Sequence, residues 1–335
     1  MRLGITVGDS SGVGPEILLN AFSRGEIRYP FFAFGDYEVL TLCAEALGIQ
    51  APLRRASLDD EPRPGEIGVI DHALLTSTDV TPGEINAASG HAAREYVVSA
   101  THAALEGRID AMVTLPMNKE ATQLSDPDFT GHTELIGAIC GSKDVTIMLA
   151  SEELIVTHVS THVSLAEAIR RVRRERVERI IDLTCDAVAK LRDAPRVAVA
   201  GLNPHAGENG LFGDEEIREI VPAVAWAKDR GLPVDGPFPP DTLFYQAVRR
   251  KRFDAIVCMY HDQGHVPLKL LDFEGGVNVA LGLPIVRTSV DHGTAFDIAW
   301  KGVASTRPLI GAINMAVKLA SGGGPAMASG KPARK

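Results

Sequence analysis

Short apolar runs rich in β-branched residues alternate with longer amphipathic segments along almost the whole chain, and few folds accommodate that alternation. The apolar runs read as strands at residues 3–7, 31–34, 67–70, 110–114, 145–149, 154–158, 196–201, 254–259 and 284–287. The amphipathic stretches read as helices at 14–23, 37–47, 87–106, 164–192, 214–230 and 241–251. Ser164 followed by Glu167 makes a capping box, and Leu165, Ile169, Val172, Ile180 and Leu183 recur at roughly helical spacing behind it. Pro15 stands where a first-turn proline belongs, behind Gly12 and Gly14. Strand–helix alternation of this kind implies an α/β protein whose mostly parallel sheet is covered by helices. With 335 residues, 45% of them hydrophobic, the chain fills one large or two medium domains. The Gly-, Pro- and Ser-rich end from Ser321 onward has little to bury, and 326–335 reads as a flexible tail.

The formal charge of -9 argues against general nucleic-acid binding, since phosphate backbones attract basic surfaces. It leaves room for a small anionic substrate, because a pocket can be basic inside an acidic protein. Cys43, Cys140, Cys185 and Cys258 lie far apart with no CxxC pair, so neither a zinc knuckle nor a disulfide framework is signalled. The run Leu3–Val7 is too short and wrongly flanked for a signal peptide, and no apolar run approaches the roughly 20 residues of a membrane span. A cytoplasmic protein is expected.

Chemistry gathers where the strands stop. The run from Asp254 ends in Tyr260-His261-Asp262-Gln263-Gly264-His265, the run from Leu154 leads to His158 and His162, and Val197–Gly201 leads to Asn203-Pro204-His205. In α/β proteins the loops beyond strand ends are free to carry catalytic groups. Three strand ends that each deliver an imidazole would suit a three-histidine metal site with a fourth position open to substrate. Residue chemistry alone does not choose between His158 and His162, or between His261 and His265. His72, His91 and His102 fall in loop or helix contexts with no special neighbours.

A second group has the chemistry of anion recognition. Lys269, Asn278, Arg287 and the Gly131-His132-Thr133 turn combine charge with directional hydrogen bonds, the mixture that phosphate or carboxylate recognition uses. Gly8-Asp-Ser-Ser-Gly12-Val-Gly14 follows the first strand, but it is neither GxGxxG nor a phosphate loop. Its glycines serve either a close ligand approach or a tight strand-to-helix turn. From the residues alone, a metal-dependent aldolase or isomerase of sugar phosphates fits as well as a dehydrogenase does.

Taken together, the segments Gly8-Asp-x-x-Gly-Val-Gly-Pro-Glu16, Gly131-His-Thr-Glu134, Thr161-His-Val-Ser-Leu165, Gly201–Glu208, Gly236–Thr242, Tyr260–Gly264, Gly276–Asn278 and Arg287–Thr294 resemble the 4-hydroxythreonine-4-phosphate dehydrogenase (PdxA) family over nearly the full chain. The resemblance implies two α/β domains around a cleft, similar to the isocitrate and isopropylmalate dehydrogenases. It places the first, cofactor-side domain at about 1–125 plus 263–325 and the second, metal and dimer side, at about 126–262. It implies that His162, His205 and His261 bind a divalent metal (zinc, or magnesium, manganese or cobalt), that His132, Thr133, Lys269, Asn278 and Arg287 hold the substrate, and that a homodimer shares its active site between subunits. The implied reaction is NAD- or NADP-linked oxidation of a secondary alcohol β to a carboxylate, followed by decarboxylation; in the best-known member the product feeds pyridoxal phosphate synthesis. Asp241 and Lys119 are the candidates for proton transfer, although Asp241 also stands where a helix N-cap is expected. Two departures bear on the substrate. Leu115-Pro-Met-Asn-Lys119-Glu120 replaces a Gly-Pro-Val-His-Lys-like segment, and Ser10-Ser11 replaces Pro-Ala. The first is similar to the branch acting on threonate or erythronate 4-phosphates, or on the dihydrodiols of terephthalate breakdown.

Overall fold

The computed structural model describes residues 1–322, so the tail read as flexible, 326–335, lies outside the described residues. Twelve strands are described: β1 (Leu3–Thr6), β2 (Phe31–Gly35), β3 (Leu53–Ala56), β4 (Ile67–Asp71), β5 (Ala111–Thr114), β6 (Thr146–Ala150), β7 (Ile155–His158), β8 (Val197–Ala200), β9 (Val234–Phe238), β10 (Ala255–Cys258), β11 (Val277–Leu281) and β12 (Arg287–Val290). They form one continuous sheet in the order β3-β4-β2-β1-β5-β12-β11-β6-β7-β10-β8-β9. The expected α/β class with a mostly parallel sheet is what the chain adopts.

The sheet has two parallel fields that run in opposite directions. β3, β4, β2, β1, β5 and β12 are mutually parallel, as are β7, β10, β8 and β9. β11 pairs antiparallel with both β12 and β6, and β6 pairs antiparallel with β7, so the reversal occupies the centre of the sheet. Strands β1, β5, β7, β8 and β10 are buried along their whole length, as the near-continuous apolar runs of a sheet covered on both faces require. The helix Arg307–Ser321 packs on β5, β11 and β12 and buries Leu309, Ala312, Ile313 and Ala316.

The departures from expectation have local causes. The single helix read over 164–192 is two, Leu165–Arg171 and Arg174–Ala189, because Val172 leaves the helical region (ψ 90°) and turns into the core. Between Glu216 and Ile220 the chain makes a π turn before Val221–Asp229, where Pro222 removes a backbone donor at the junction. The last predicted strand, 284–287, is displaced: Pro284 lies in the approach and the ladder starts at Arg287. Asp241 is not an N-cap. That position belongs to Pro239, and Asp241 sits exposed in the first turn of Pro240–Val248 without a capping hydrogen bond.

Candidate active site

The floor of the principal cleft follows from strand register. Thr114, Ser289 and Asn278 lie side by side across β5, β12 and β11; one step along, Arg287, Ala280 and Ile147 align across β12, β11 and β6. Alternation along a strand puts both rows on one face of the sheet. Above them lies a cleft of about 310 Å³ whose walls are Lys119, Gly131–Glu134, His162 and the segment Asp291-His292-Gly293. Polar side chains on a central sheet face mark the place where helical cover gives way to a ligand.

Arg287 dominates the electrostatics. It is 3% exposed, its Nη2 donates to Thr114 Oγ1 at 2.7 Å, and its Nε is buried with no partner. No carboxylate forms an ion pair with it among the described residues. Burial drags the guanidinium down to about 10, and it stays charged at neutral pH. Glu134, on the same cleft, offsets this only in part and forms no ion pair with it, and a buried cation without a paired counter-ion is costly unless a ligand supplies the charge. Two more orphaned atoms line the same space, His132 Nε2 and Asn278 Oδ1. His132 is pushed down to about 3 by burial and by the nearby Arg287 and Lys119 charges, so it is neutral there. It opens the helix His132–Ile139, whose first-turn amides, with Thr133 beside them, border the cleft, a favourable end for an anion. Lys119 lines the cleft from the start of Lys119–Gln123, a turn capped by Asn118 through Ala121 N. Lys269 does not line it. It points to Asp291 at 3.0 Å, on the rim.

The two histidine pairs sort themselves by position. His158 is fully buried in β7, and His265 is 7% exposed with Nδ1 3.2 Å from His158 Nε2. His162 and His261 face each other outside that pair, with ring centroids 5.5 Å apart. Two imidazoles sharing a tetrahedral ion at Zn–N near 2.1 Å would hold their centroids roughly 5.3 Å apart. His261 Nδ1 lies 2.7 Å from Asp262 Oδ1, so that nitrogen carries the proton and Nε2 keeps a free lone pair, the usual preparation of a metal-binding imidazole. His162 is held below its usual value by burial and by His261 and Lys119, which keeps it a neutral donor. The residues therefore fit a divalent ion, but one chain brings only two ligands together. Among the described residues no group of three or more His, Cys, Asp or Glu is placed to hold a metal.

His205 lies elsewhere, exposed beside Phe212. It begins a run of left-handed residues, His205 to Asn209, with φ between 41° and 78°. Such conformations cost about 1–2 kcal/mol per non-glycine residue. Buried Glu216 holds the turn, accepting from Leu202 N and Asn203 N at 2.7 Å and from Asn203 Nδ2 at 2.9 Å. Exposed Leu211, Phe212 and Ile217 surround it. Asp241 also lines none of the clefts described here.

The Gly8–Gly14 turn settles on the structural alternative. A Cβ on Gly14 would lie 2.0 Å from Val7 O, and one on Gly8 2.4 Å from Pro116 O, so protein atoms fill the space beside these glycines. A second, mostly apolar cleft of about 540 Å³ adjoins the first and shares Asp291, His292 and Gly293 with it. Sequence reasoning missed the partner residues Thr114, Asp262 and Asp291. Only Asp262 and Asp291 were marked in the sequence, by standing next to a histidine at a strand end.

Comparison with known proteins is consistent across three measures. The family model described as "Pyridoxal phosphate biosynthetic protein PdxA" matches residues 26–316. The chain is 43% identical over 323 residues to a D-threonate 4-phosphate dehydrogenase of Salmonella typhimurium, covering 95% of this chain and 98% of that one. It is 44% identical over 335 residues to a 4-hydroxythreonine-4-phosphate dehydrogenase of Geobacter metallireducens, covering 96% and 98%. Among solved structures, a 4-hydroxythreonine-4-phosphate dehydrogenase from Klebsiella pneumoniae superposes with a TM-score of 0.86 at 41% identity, covering 95% and 99%.

Proposed function

The chain belongs to the PdxA family, and we propose that it is an NAD- and divalent-metal-dependent dehydrogenase that oxidises and decarboxylates a 4-phosphorylated 3-hydroxy acid of the threonate type. The observation that carries the reading is the Arg287 guanidinium, without an ion-pair partner, in a cleft that also holds the orphaned His132 Nε2 and Asn278 Oδ1. A phosphate there would satisfy Arg287 Nε, the helix amides and Thr133, and Asn278 Oδ1 would accept from a substrate hydroxyl. The 2-hydroxy acid is preferred on the similarity to relatives named D-threonate 4-phosphate dehydrogenase; in the Leu115–Glu120 segment, Asn118 is spent on capping the helix it precedes and Met117 lines the cleft.

When bound, the ion polarises the hydroxyl, and later the carbonyl, that it faces. His162 and His261 would hold it from one chain, and His205 would complete the set from across a homodimer whose apolar contact Leu211, Phe212 and Ile217 would supply. Lys119, which lines the cleft, would take or return the hydroxyl proton. Asp241 would reach the site only as His205 does, across the dimer. The adjoining apolar cleft would take the dinucleotide, with Asp291-His292-Gly293 between cofactor and substrate. In the same proposal the first domain runs over about 1–125 plus 263–325 and the second over about 126–262. No described helix is long and apolar enough to cross a membrane, and we place the enzyme in the cytoplasm.

Nicotinamide, when bound, would supply the hydride acceptor for oxidation at C3, and the hydroxyl proton would pass to the protein. Loss of carbon dioxide from C1 and protonation at C2 then leave dihydroxyacetone phosphate. Incubation with NAD, a divalent metal and either threonate 4-phosphate or 4-hydroxythreonine 4-phosphate tests this. Threonate 4-phosphate should give NADH, carbon dioxide and dihydroxyacetone phosphate in equal amounts and be the better substrate. Sugar-phosphate turnover with nicotinamide omitted would replace the reading with an aldolase or isomerase.

A further inference from the structure

The geometry points to His265, pinned by His158, as a positioning residue that fixes the ring plane of His261 for metal binding. This rests on the metal-site reading above. The His265 and His261 rings stack at 3.6 Å between centroids with 11° between planes. So close and flat a contact leaves His261 little freedom about its final side-chain torsion, which is otherwise broad for an imidazole. His265 is itself fixed. Its Nδ1 lies 3.2 Å from His158 Nε2 and 3.2 Å from the His261 carbonyl oxygen, and His158 Nδ1 faces Ile147 O at 3.4 Å.

The tautomers follow from the acceptors. Carbonyls only accept, so His158 donates through Nδ1 to Ile147 and offers the Nε2 lone pair. His265 then donates through Nδ1, shared between that lone pair and the His261 carbonyl. His261 donates through Nδ1 to Asp262, and its Nε2 is left for the cation. The packing tolerates no slack: a Cβ on Gly264 would lie 2.6 Å from His158 Nε2 and 3.0 Å from Cys258 Sγ, so the helix carrying both rings is seated directly on β7 and β10. Partners that orient a ligand imidazole typically contribute 10–100-fold to metal affinity.

Cobalt(II) titration of the chelator-stripped full-length protein, followed by the visible d–d bands, tests the assignment. H265F keeps the stacked ring and loses the donor. H265N keeps a donor toward His158 and loses the stack. H265N should bind cobalt about 10–100-fold more weakly than wild type with an altered band pattern, and H265F should lie within about threefold of wild type. Wild-type melting behaviour in metal-free H265N would show that the loss is not a folding defect. Equal affinity of H265N and wild type, or an H265F as weak as H265N, would overturn the positioning role. A wild-type protein that takes up no cobalt would instead bring down the metal site itself.

Discussion

Replacing Arg287 by Met should make the unliganded protein more stable and the enzyme nearly inert. The guanidinium is 3% exposed and held at about 10 by burial, well below its usual range, so folding at neutral pH works against a charge that the solvated chain prefers. At 1.36 kcal/mol per pH unit that penalty is about 3 kcal/mol, present in full below pH 10 and relieved as pH rises above it. Methionine fills a similar volume without the charge, and the lost bond to Thr114 Oγ1 takes back about 1 kcal/mol. The net expectation is a gain of about 2 kcal/mol in unfolding free energy without ligand. Activity goes the other way. Two charge-assisted bonds to a buried phosphate, at about 1.5–3 kcal/mol each, correspond to a loss of about 10²–10⁴ in kcat/KM. Urea denaturation with and without inorganic phosphate, paired with initial rates on threonate 4-phosphate, reads both effects. A variant destabilised without ligand, still stabilised by phosphate, or within tenfold of wild-type kcat/KM would refute the assignment of Arg287 as the anion's counter-charge.

Stability should fall as pH drops from about 6.5 toward 4. Burial holds His132 and His158 at about 3 and His265 at about 4, so the unfolded chain binds protons in that window that the folded chain refuses. Asp9, raised by burial to about 6, and Asp186, raised by burial and by Asp182, oppose the trend, but the three histidines outweigh them; a urea midpoint that is flat from pH 6.5 to 4.5 would contradict these assignments. If the proposed dimer forms, Phe212→Asp should split it and lower cobalt affinity together, since the same turn carries His205. Burying a Phe contributes about 1.5–3 kcal/mol and a two-fold interface counts it twice, so the dissociation constant should rise at least about 100-fold, as sedimentation velocity would read.

The long elements were legible because burial writes a pattern into the residues. β1, β5, β7, β8 and β10 are buried throughout and mostly apolar, and Gly14–Ser23 and Tyr37–Leu47 carry clear amphipathic spacing. β3, with Leu-Arg-Arg-Ala, and β9, with Pro237, are edge strands that bury little and so leave no such trace. β11 was hidden because Asn278 interrupts it, and the asparagine was read as a ligand-binding residue without the strand that presents it. His261–Leu271 was read only as a polar cluster, since Gly264 and Pro267 argue against a helix; it forms on tertiary contacts, among them Gln263 with Met259 N and Gly201 O. In the site, residue chemistry grouped Arg287, His132 and Asn278 together, and they line one cleft. It had no access to the pairing of Lys269 with Asp291, or to which histidine of each pair faces outward, because both depend on packing between distant segments.

The strand reversal at β11 has a mechanical consequence. Because β5, β12, β11 and β6 are laced edge to edge beneath the cleft, the two halves of the molecule cannot swing apart on a loop hinge there without breaking ladder bonds. Any gripping of substrate falls to the roof: the turn at Gly131 and the segment from Asp291 to Gly293. The anvil stays still, and only the hammer moves.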